Sequence, residues 1–403
     1  MELLLVLYLL SGVFKSFALL FGISFPIDLT LLFALLTLVN TFIRNFNLHK
    51  FSYHLRVERK KTLLLFFVFW CWMAFTLLYT SSPQYSGMKT FLFCTNFIPF
   101  IVILMSKRFN INLFLRVFSF LAILLSLLYL PLLNIYTQLG SNEEIHDSIR
   151  GLYLTLGGYL GVSILFLLTT HKPVFGLYID KIIIICSFFL LLIIGARGPL
   201  IFTVLCFLLY LLRRKHFSVS KKKIANLLLF LFCIIVVVEI LQKSSEESLV
   251  GILFERSMSR LSLIMDGLLG NGDMGNSANI RVEHYEHSYL LITQSIENFV
   301  LGTGVGSFSI ETNGIDGRGY PHNLILEVWT EMGIIGVVLF LSFVTTLFSN
   351  ICVEKYYISG YVILYFLLEY SKSGSLVDIR TGLTFCVLFI CSANIKQRLS
   401  ILN

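Results

Sequence analysis

Long apolar blocks separated by short polar links run along almost the whole chain. Most blocks hold roughly 15–22 residues, the length a helix needs to cross a hydrocarbon core of about 30 Å. Twelve such blocks lie over about 3–22, 27–43, 62–80, 89–105, 113–132, 151–169, 182–196, 199–212, 224–241, 323–348, 357–370 and 381–394. The seventh and eighth flank Gly195-Ala196-Arg197-Gly198-Pro199, which reads as a tight turn between helices. One long polar segment, 242–321, interrupts the pattern. Within it Ile280, Tyr285, Tyr289, Ile292 and Ile296 recur at helical spacing, which predicts an amphipathic helix over 277–298 lying at a membrane interface. The expected architecture is an all-α polytopic membrane protein with about 12 transmembrane helices. It divides into nine helices over 1–241, a large extracytoplasmic loop with amphipathic helices over 242–321, and three helices over 322–403.

Composition agrees with this pattern. The 403 residues are 57% hydrophobic and 13% charged, where a soluble domain has about 45–50% and about 25%. The net charge of +8 would suit a nucleic-acid partner, but its distribution excludes one. The links 44–61 and 213–223 hold six Lys or Arg each, whereas 242–321 holds five against ten Asp or Glu. Positive links stay in the cytoplasm. Both termini are therefore expected there, and the long polar segment outside. The chain opens Met1-Glu2-Leu3 with no basic leader, Lys15 interrupts the first block, and no small-residue cleavage site follows. That block is expected to be a retained span. All eight cysteines fall in or beside apolar blocks and none in the polar segment, so they read as small hydrophobes rather than a disulfide framework.

No nucleotide loop, dinucleotide fingerprint, HExxH or CxxC is present. Gly302-Thr303-Gly304-Val305-Gly306 has glycines at every second residue after a helix and reads as a flexible bend. The alternative is a bend whose amides face an anion. Arg197 closes an apolar block on the outer side, where a basic anchor is disfavoured, and suggests an anionic partner. Arg281 falls in the first turn of the expected loop helix, against the helix dipole, and its planar fork suits a phosphate. His322 stands where the tenth block enters the membrane and can take a proton from a hydroxyl. Glu327 and Glu331 follow it on roughly one side of the same helix, and intramembrane carboxylates mark function by default. His284 and His287, beside Glu283 and Glu286, lack a third ligand and read as a polar helix face rather than a metal site. Asp378 and Arg380 form a structural pair, or Arg380 adds charge to the same pocket. Arg318, Tyr320 and Asn323 flank His322 and complete, with Glu327 and Arg380, a candidate substrate-binding set.

Arginines and one histidine thus gather on the outer face, where no nucleotide is at hand. An enzyme there needs a donor that carries its own leaving group. A polyisoprenyl-pyrophosphate sugar is such a donor. Arginines would stabilise the departing charge in place of a metal.

The run Gly302-Thr303-Gly304-Val305-Gly306-Ser307-Phe308, then His322-Asn323-Leu324, Glu327 and Glu331-Met332-Gly333-Ile334-Ile335-Gly336, resembles the signature region of the O-antigen polymerase/ligase superfamily. Gly195-Ala196-Arg197-Gly198, Asn279-Ile280-Arg281, Pro26-Ile27-Asp28-Leu29-Thr30 and Lys89 fit the same resemblance. It implies a GT-C-like membrane glycosyltransferase that is metal-independent and inverting and needs no cofactor. In it Arg197, Arg281 and His322 serve lipid-pyrophosphate binding and catalysis. The substrate would be an undecaprenyl-pyrophosphate-linked oligosaccharide in the bacterial inner membrane, with a chain-length-regulating membrane protein as a partner. The segment Ser373-Gly374-Ser375 to Asp378 and Arg380 favours a polymerase of the repeat unit. A ligase onto lipid A–core is the alternative, and a flippase for the same lipid-linked sugar is a second.

Overall fold

The computed structural model describes residues 1–23, 25, 27–46, 57–105, 109–138, 143–170, 173–213, 276–348 and 360–399. Every regular element among them is helical. Seven helices are long and apolar enough to cross a membrane: Glu2–Leu20, Lys61–Leu78, Tyr85–Ile103, Ile111–Leu132, Gly151–Thr169, Leu177–Ile194 and Leu324–Thr346. Shorter apolar helices cover Leu29–Arg44, Arg197–Tyr210 and Arg380–Phe389. The chain is a multi-pass membrane protein. The expected ninth span (224–241), the first part of the polar segment (242–275) and most of both six-charge links lie outside the described residues. The expected span 357–370 coincides with a helix, Gly360–Ser373, that carries Glu369 and Lys372.

The chain forms two compact units whose segments alternate along the sequence. The first comprises Met1–Gly12, Phe25–Phe114 and Gly275–Asn403, and the second Val13–Ser24 and Leu115–Met274. Helix α1 (Glu2–Leu20) and helix α6 (Ile111–Gln138) run from one into the other.

In the first unit, α2 (Leu29–Phe46) starts at an Asp28 cap, whose Oδ1 accepts the Thr30 amide at 2.8 Å. Helix α3 (Val57–Phe75) ends in a short 3-10 turn at Thr76–Leu78. The expected span 89–105 is two helices, α4 (Tyr85–Thr95) and α5 (Ile98–Met105), broken at Asn96-Phe97. Asn96 Nδ2 donates to the Leu376 carbonyl at 3.2 Å, and Pro99 sits in the first turn of α5, where its missing amide is harmless. Phe66 of α3 lies 4.2 Å from Phe97, 5.2 Å from Phe100 and 4.9 Å from Phe343, ring centre to ring centre. This aromatic core binds α3 and α5 to α13 (Leu324–Phe348).

The polar segment supplies α10 (Asn276–Thr293), α11 (Ile296–Leu301) and α12 (Phe308–Asn313). Ser295 caps α11 by accepting the Asn298 amide at 3.0 Å. Helices α10 and α11 pack on α13. Of the apolar stripe expected on α10, Ile292 is buried, but Ile280, Tyr289 and Ile296 are exposed, and Ile296 belongs to α11. The buried positions are Ser288 and Ile292, in line with His284 four residues earlier. Helices α14 (Gly360–Ser373) and α15 (Arg380–Leu399), joined through a 3-10 turn at Leu376–Asp378, complete the unit.

In the second unit α7 (Glu143–Thr169) packs on α8 (Leu177–Ile194) and α9 (Arg197–Arg213). Gly195 closes α8 and Arg197 opens α9, so the tight turn is confirmed. Gly157 of α7 meets Ala196 so closely that no side chain would fit between them. Ile182, Ile185 and Phe189 leave an exposed apolar stripe along α8, suited to lipid.

Candidate functional site

The site is built on a break in α13. Gly333 has φ 65° and ψ −172°, outside the helical region, so the turn before it loses its intrahelical partners. A free carbonyl in a membrane costs several kcal/mol. Each of the three is taken up. The Thr330 oxygen accepts the Thr303 amide at 2.9 Å and its hydroxyl at 3.0 Å. The Glu331 oxygen accepts the Gly304 amide at 2.9 Å, and the Met332 oxygen accepts Trp72 Nε1 at 3.0 Å. Gly302 (φ 80°) makes this approach feasible, since a Cβ there would stand 2.5 Å from Met332 N.

The glycine run is therefore a fixed clamp, which corrects both readings made from its sequence. It does not bend freely. Four of its five amides are also committed within the protein. Thr303 and Gly304 donate to α13, Gly302 N–H goes to the Asn298 carbonyl, and Val305 N–H goes to Thr76 Oγ1 at 3.1 Å.

One turn apart on α13, Glu327 and Glu331 close on Lys89 of α4. Lys89 Nζ lies 2.6 Å from Glu327 Oε1 and 2.7 Å from Glu331 Oε1, and all three residues are fully buried. Glu327 also accepts Ser375 Oγ and the Leu376 amide, both at 2.9 Å. The triad ties α4, α13 and the turn before α15 together. Glu327, expected to bind substrate, has its oxygens occupied by these partners.

The loop 314–323 stretches above this anchor. Asp316 holds it to the start of α4 by accepting Ser82 Oγ at 2.5 Å, the Gln84 amide at 2.8 Å and the Tyr85 amide at 3.1 Å. Those bonds, Ser82 first, keep its carboxyl below the usual range. Arg318 Nη2 meets Asp378 Oδ2 at 2.7 Å with both side chains about half exposed, and the carboxylate raises the guanidinium pKa. Asp378 thus pairs with Arg318, not with Arg380. Asn323, another candidate substrate contact, caps α13 by accepting the Ile325 amide at 3.0 Å and the Leu326 amide at 3.1 Å.

His322 sits between these fixed ends with φ 57°, a conformation no other non-glycine residue adopts among those described. Strain of this kind amounts to about 1–3 kcal/mol and persists only where neighbours enforce it. The Tyr320 ring meets His322 edge-on at 4.5 Å, and the His284 ring lies parallel to it at 5.3 Å with an interplanar angle of 1°. Phe308 packs edge-on against His284 from 5.5 Å.

Electrostatics follow from this packing. Burial lowers the His322 pKa to about 4, helped by His284, Arg281 and Arg318, so at neutral pH the imidazole carries no charge. Burial, with His287 adding to it, also lowers the His284 pKa. Burial raises the Tyr320 phenol to about 12, with Asp378 adding to it. The arrangement offers an uncharged imidazole beside two guanidiniums. Such a site can accept a proton from a hydroxyl while cations face an anion.

The structure thus brings Arg281, Arg318, Tyr320 and His322 together. Arg281 lies in the second turn of α10, not the first, because the helix begins at Asn276; the helix-dipole argument for it falls away. Arg380 lies across the Tyr8 ring, 5.4 Å from its centre, and packs against Gly12 rather than joining the charges that act on His322. Arg197 belongs to the second unit, as the first residue of α9. His284 was read only as part of a polar helix face, and Lys89 only through the resemblance. The signals were there: His284 stands one turn after Arg281, and Lys89 interrupts an apolar block as Glu327 and Glu331 do another.

Among the described residues no three of His, Cys, Asp and Glu converge as metal ligands. Residues 182–341, about two fifths of the chain, match the family model described as O-antigen ligase. The matched stretch contains Arg197, Arg281 and His322. It supports a place in the O-antigen polymerase/ligase superfamily and does not separate the two branches. No curated protein matches the chain.

Proposed function

We propose that this protein is a glycosyltransferase of the O-antigen polymerase type. It would transfer a glycan from an undecaprenyl-pyrophosphate carrier onto the non-reducing end of another lipid-linked repeat unit at the extracytoplasmic face of the bacterial inner membrane, with both termini in the cytoplasm. The observation that carries this reading is the uncharged, strained His322 where α13 begins, stacked on His284 and within the field of Arg281 and Arg318. The acceptor hydroxyl gives its proton to His322 and its oxygen attacks the anomeric carbon from the face opposite the diphosphate. The bond from that carbon to the diphosphate breaks, inverting the anomer, and the arginines stabilise the departing charge. A ring with a pKa near 4 is a weak base until the donor arrives. The bound diphosphate then offsets Arg281 and Arg318 and makes protonation of His322 more favourable. Arg197 enters as a diphosphate-binding cation on the sequence resemblance alone. Arg318, Tyr320 and Arg380 remain proposed substrate contacts, while Glu327 and Asn323 act as positioning residues.

The polymerase branch is preferred for the Ser373-Gly374-Ser375 to Arg380 segment, and it would work with a chain-length-regulating membrane protein. The ligase is the second reading, favoured by the description of the matched family. Deleting the gene in its host and resolving surface polysaccharide on a gel tests both. Core bearing a single repeat unit supports the polymerase. Bare core, with polymer held on the carrier, supports the ligase. An unchanged ladder overturns both and returns the flippase.

A further inference from the structure

Three polar atoms of α10 and α14 are buried without a hydrogen-bond partner: His284 Nδ1, Glu369 Oε2 and Ser373 Oγ. Such atoms are rare in folded proteins, and each calls for an explanation. Arg281 connects them electrostatically. Arg281 acts electrostatically on both His322 and Glu369, and His284 stacks on His322 from one turn beyond Arg281. Glu369 and Ser373 lie one turn apart on α14, so they line one face. Lys372 and, more weakly, Arg281 both act electrostatically on Glu369.

The chemistry of the three atoms selects the ligand. His284 is hydrogen-bonded to the Tyr320 backbone. With Nδ1 unpartnered, that bond falls to Nε2, which donates to the carbonyl and leaves Nδ1 an acceptor. An ionised Glu369 is likewise an acceptor, and Ser373 can play either part. A phosphate brings no proton to satisfy acceptors. A sugar ring brings several hydroxyls.

We propose that His284, Glu369 and Ser373 form a subsite for the hydroxyls of a sugar ring at the reaction centre, on the side of Arg281 away from the diphosphate. The inference rests on the transferase reading and adds to it the residues that grip the sugar. The ring belongs either to the reducing-end sugar of the donor or to the non-reducing-end sugar of the acceptor.

The test uses the full-length protein in lipid nanodiscs with the lipid-linked repeat unit isolated from its host. Losing a hydrogen bond to a charged group weakens binding about tenfold or more. Glu369→Gln is expected to raise KM about tenfold with kcat within about twofold, and Ser373→Ala to raise it less. The ligand-free Tm of Glu369→Gln should stay close to the parent's, because the amide keeps the size and shape of the carboxyl. Repeat units lacking one hydroxyl at either end then locate the ring. The end whose deletion weakens the parent but adds nothing in Glu369→Gln is the end held. Unchanged KM in both variants overturns the subsite, as does a fall in Tm that accounts for the lost binding. Direct binding of the radiolabelled repeat unit separates this proposal from the transferase reading. If the parent binds and forms no product while Glu369→Gln fails to bind, the subsite stands and the transferase does not. If the parent polymerises and the variants bind as it does, only the subsite falls.

Discussion

Two polar clusters of the first unit make opposite use of the same helix. Around Lys89, Glu327 and Glu331, the recorded partners of each charge all come from within the protein. Around His322 a ring is held in a strained conformation, its cations are not neutralised by it, and His284 Nδ1 has no partner. A buried charge without a partner destabilises a fold by several kcal/mol, so an internal cluster that serves structure is closed. A site that must receive a ligand stays open and depends on the closed cluster for its rigidity. The clamp on Gly333 joins the two, since Gly304 donates to the Glu331 carbonyl and Thr303 to the Thr330 carbonyl on the helix that His322 precedes.

Substitutions in the two clusters should therefore fail differently. His322→Ala is expected to lower turnover by about 10²–10⁴-fold with Tm nearly unchanged, as loss of a general base does. A residual rate within a few-fold of the parent would remove His322 from the chemistry. Lys89→Met leaves two buried carboxylates without their cation. It should destabilise the protein by about 3–5 kcal/mol, with unfolding in detergent as the readout. Adding Glu327→Gln and Glu331→Gln to Lys89→Met should restore part of that loss. Gly302→Ala forces a Cβ against the backbone of α13 and should destabilise by roughly 2 kcal/mol or more. Asn323→Ala removes only a helix cap, at about 1 kcal/mol.

The pH dependence sharpens the contrast. His322 accepts a proton only while unprotonated, so kcat/KM should hold down to about pH 4 and fall below it. Arg281→Gln removes one of the charges that disfavour the imidazolium, so the acid limb of whatever activity remains should move toward higher pH. A limb that stays in place in Arg281→Gln would mean that Arg281 does not act on His322.

The sequence made the open cluster easier to see than the closed one. Arg281, Arg318, Tyr320 and His322 stood out as polar residues at a membrane boundary, and they do assemble. Asn323 and Glu327 stood out for the same reason, yet serve as a helix cap and an ion-pair partner, because proximity in sequence to His322 says nothing about where a side chain finds hydrogen bonds. Lys89 and Glu331 lie 242 residues apart, and no local pattern can pair them. Helix α10 was legible from its period. Its inner face was not, since the buried positions there are Ser288 and Ile292, with half-buried His284 in line, while Ile280 and Tyr289 are exposed. The glycine run misled because alternate glycines suit a loose bend and a close backbone crossing equally well.

The account stands most directly on whether His322 carries glycan transfer from a lipid diphosphate. The measurement is turnover of the isolated lipid-linked repeat unit by the purified protein in nanodiscs, beside His322→Ala and His322→Gln of matched Tm. The expected result is a ladder of lengthened lipid-linked chains with release of carrier diphosphate, absent in both variants. A ladder that persists without His322, or carrier-linked units that cross the bilayer and are never joined, would contradict it.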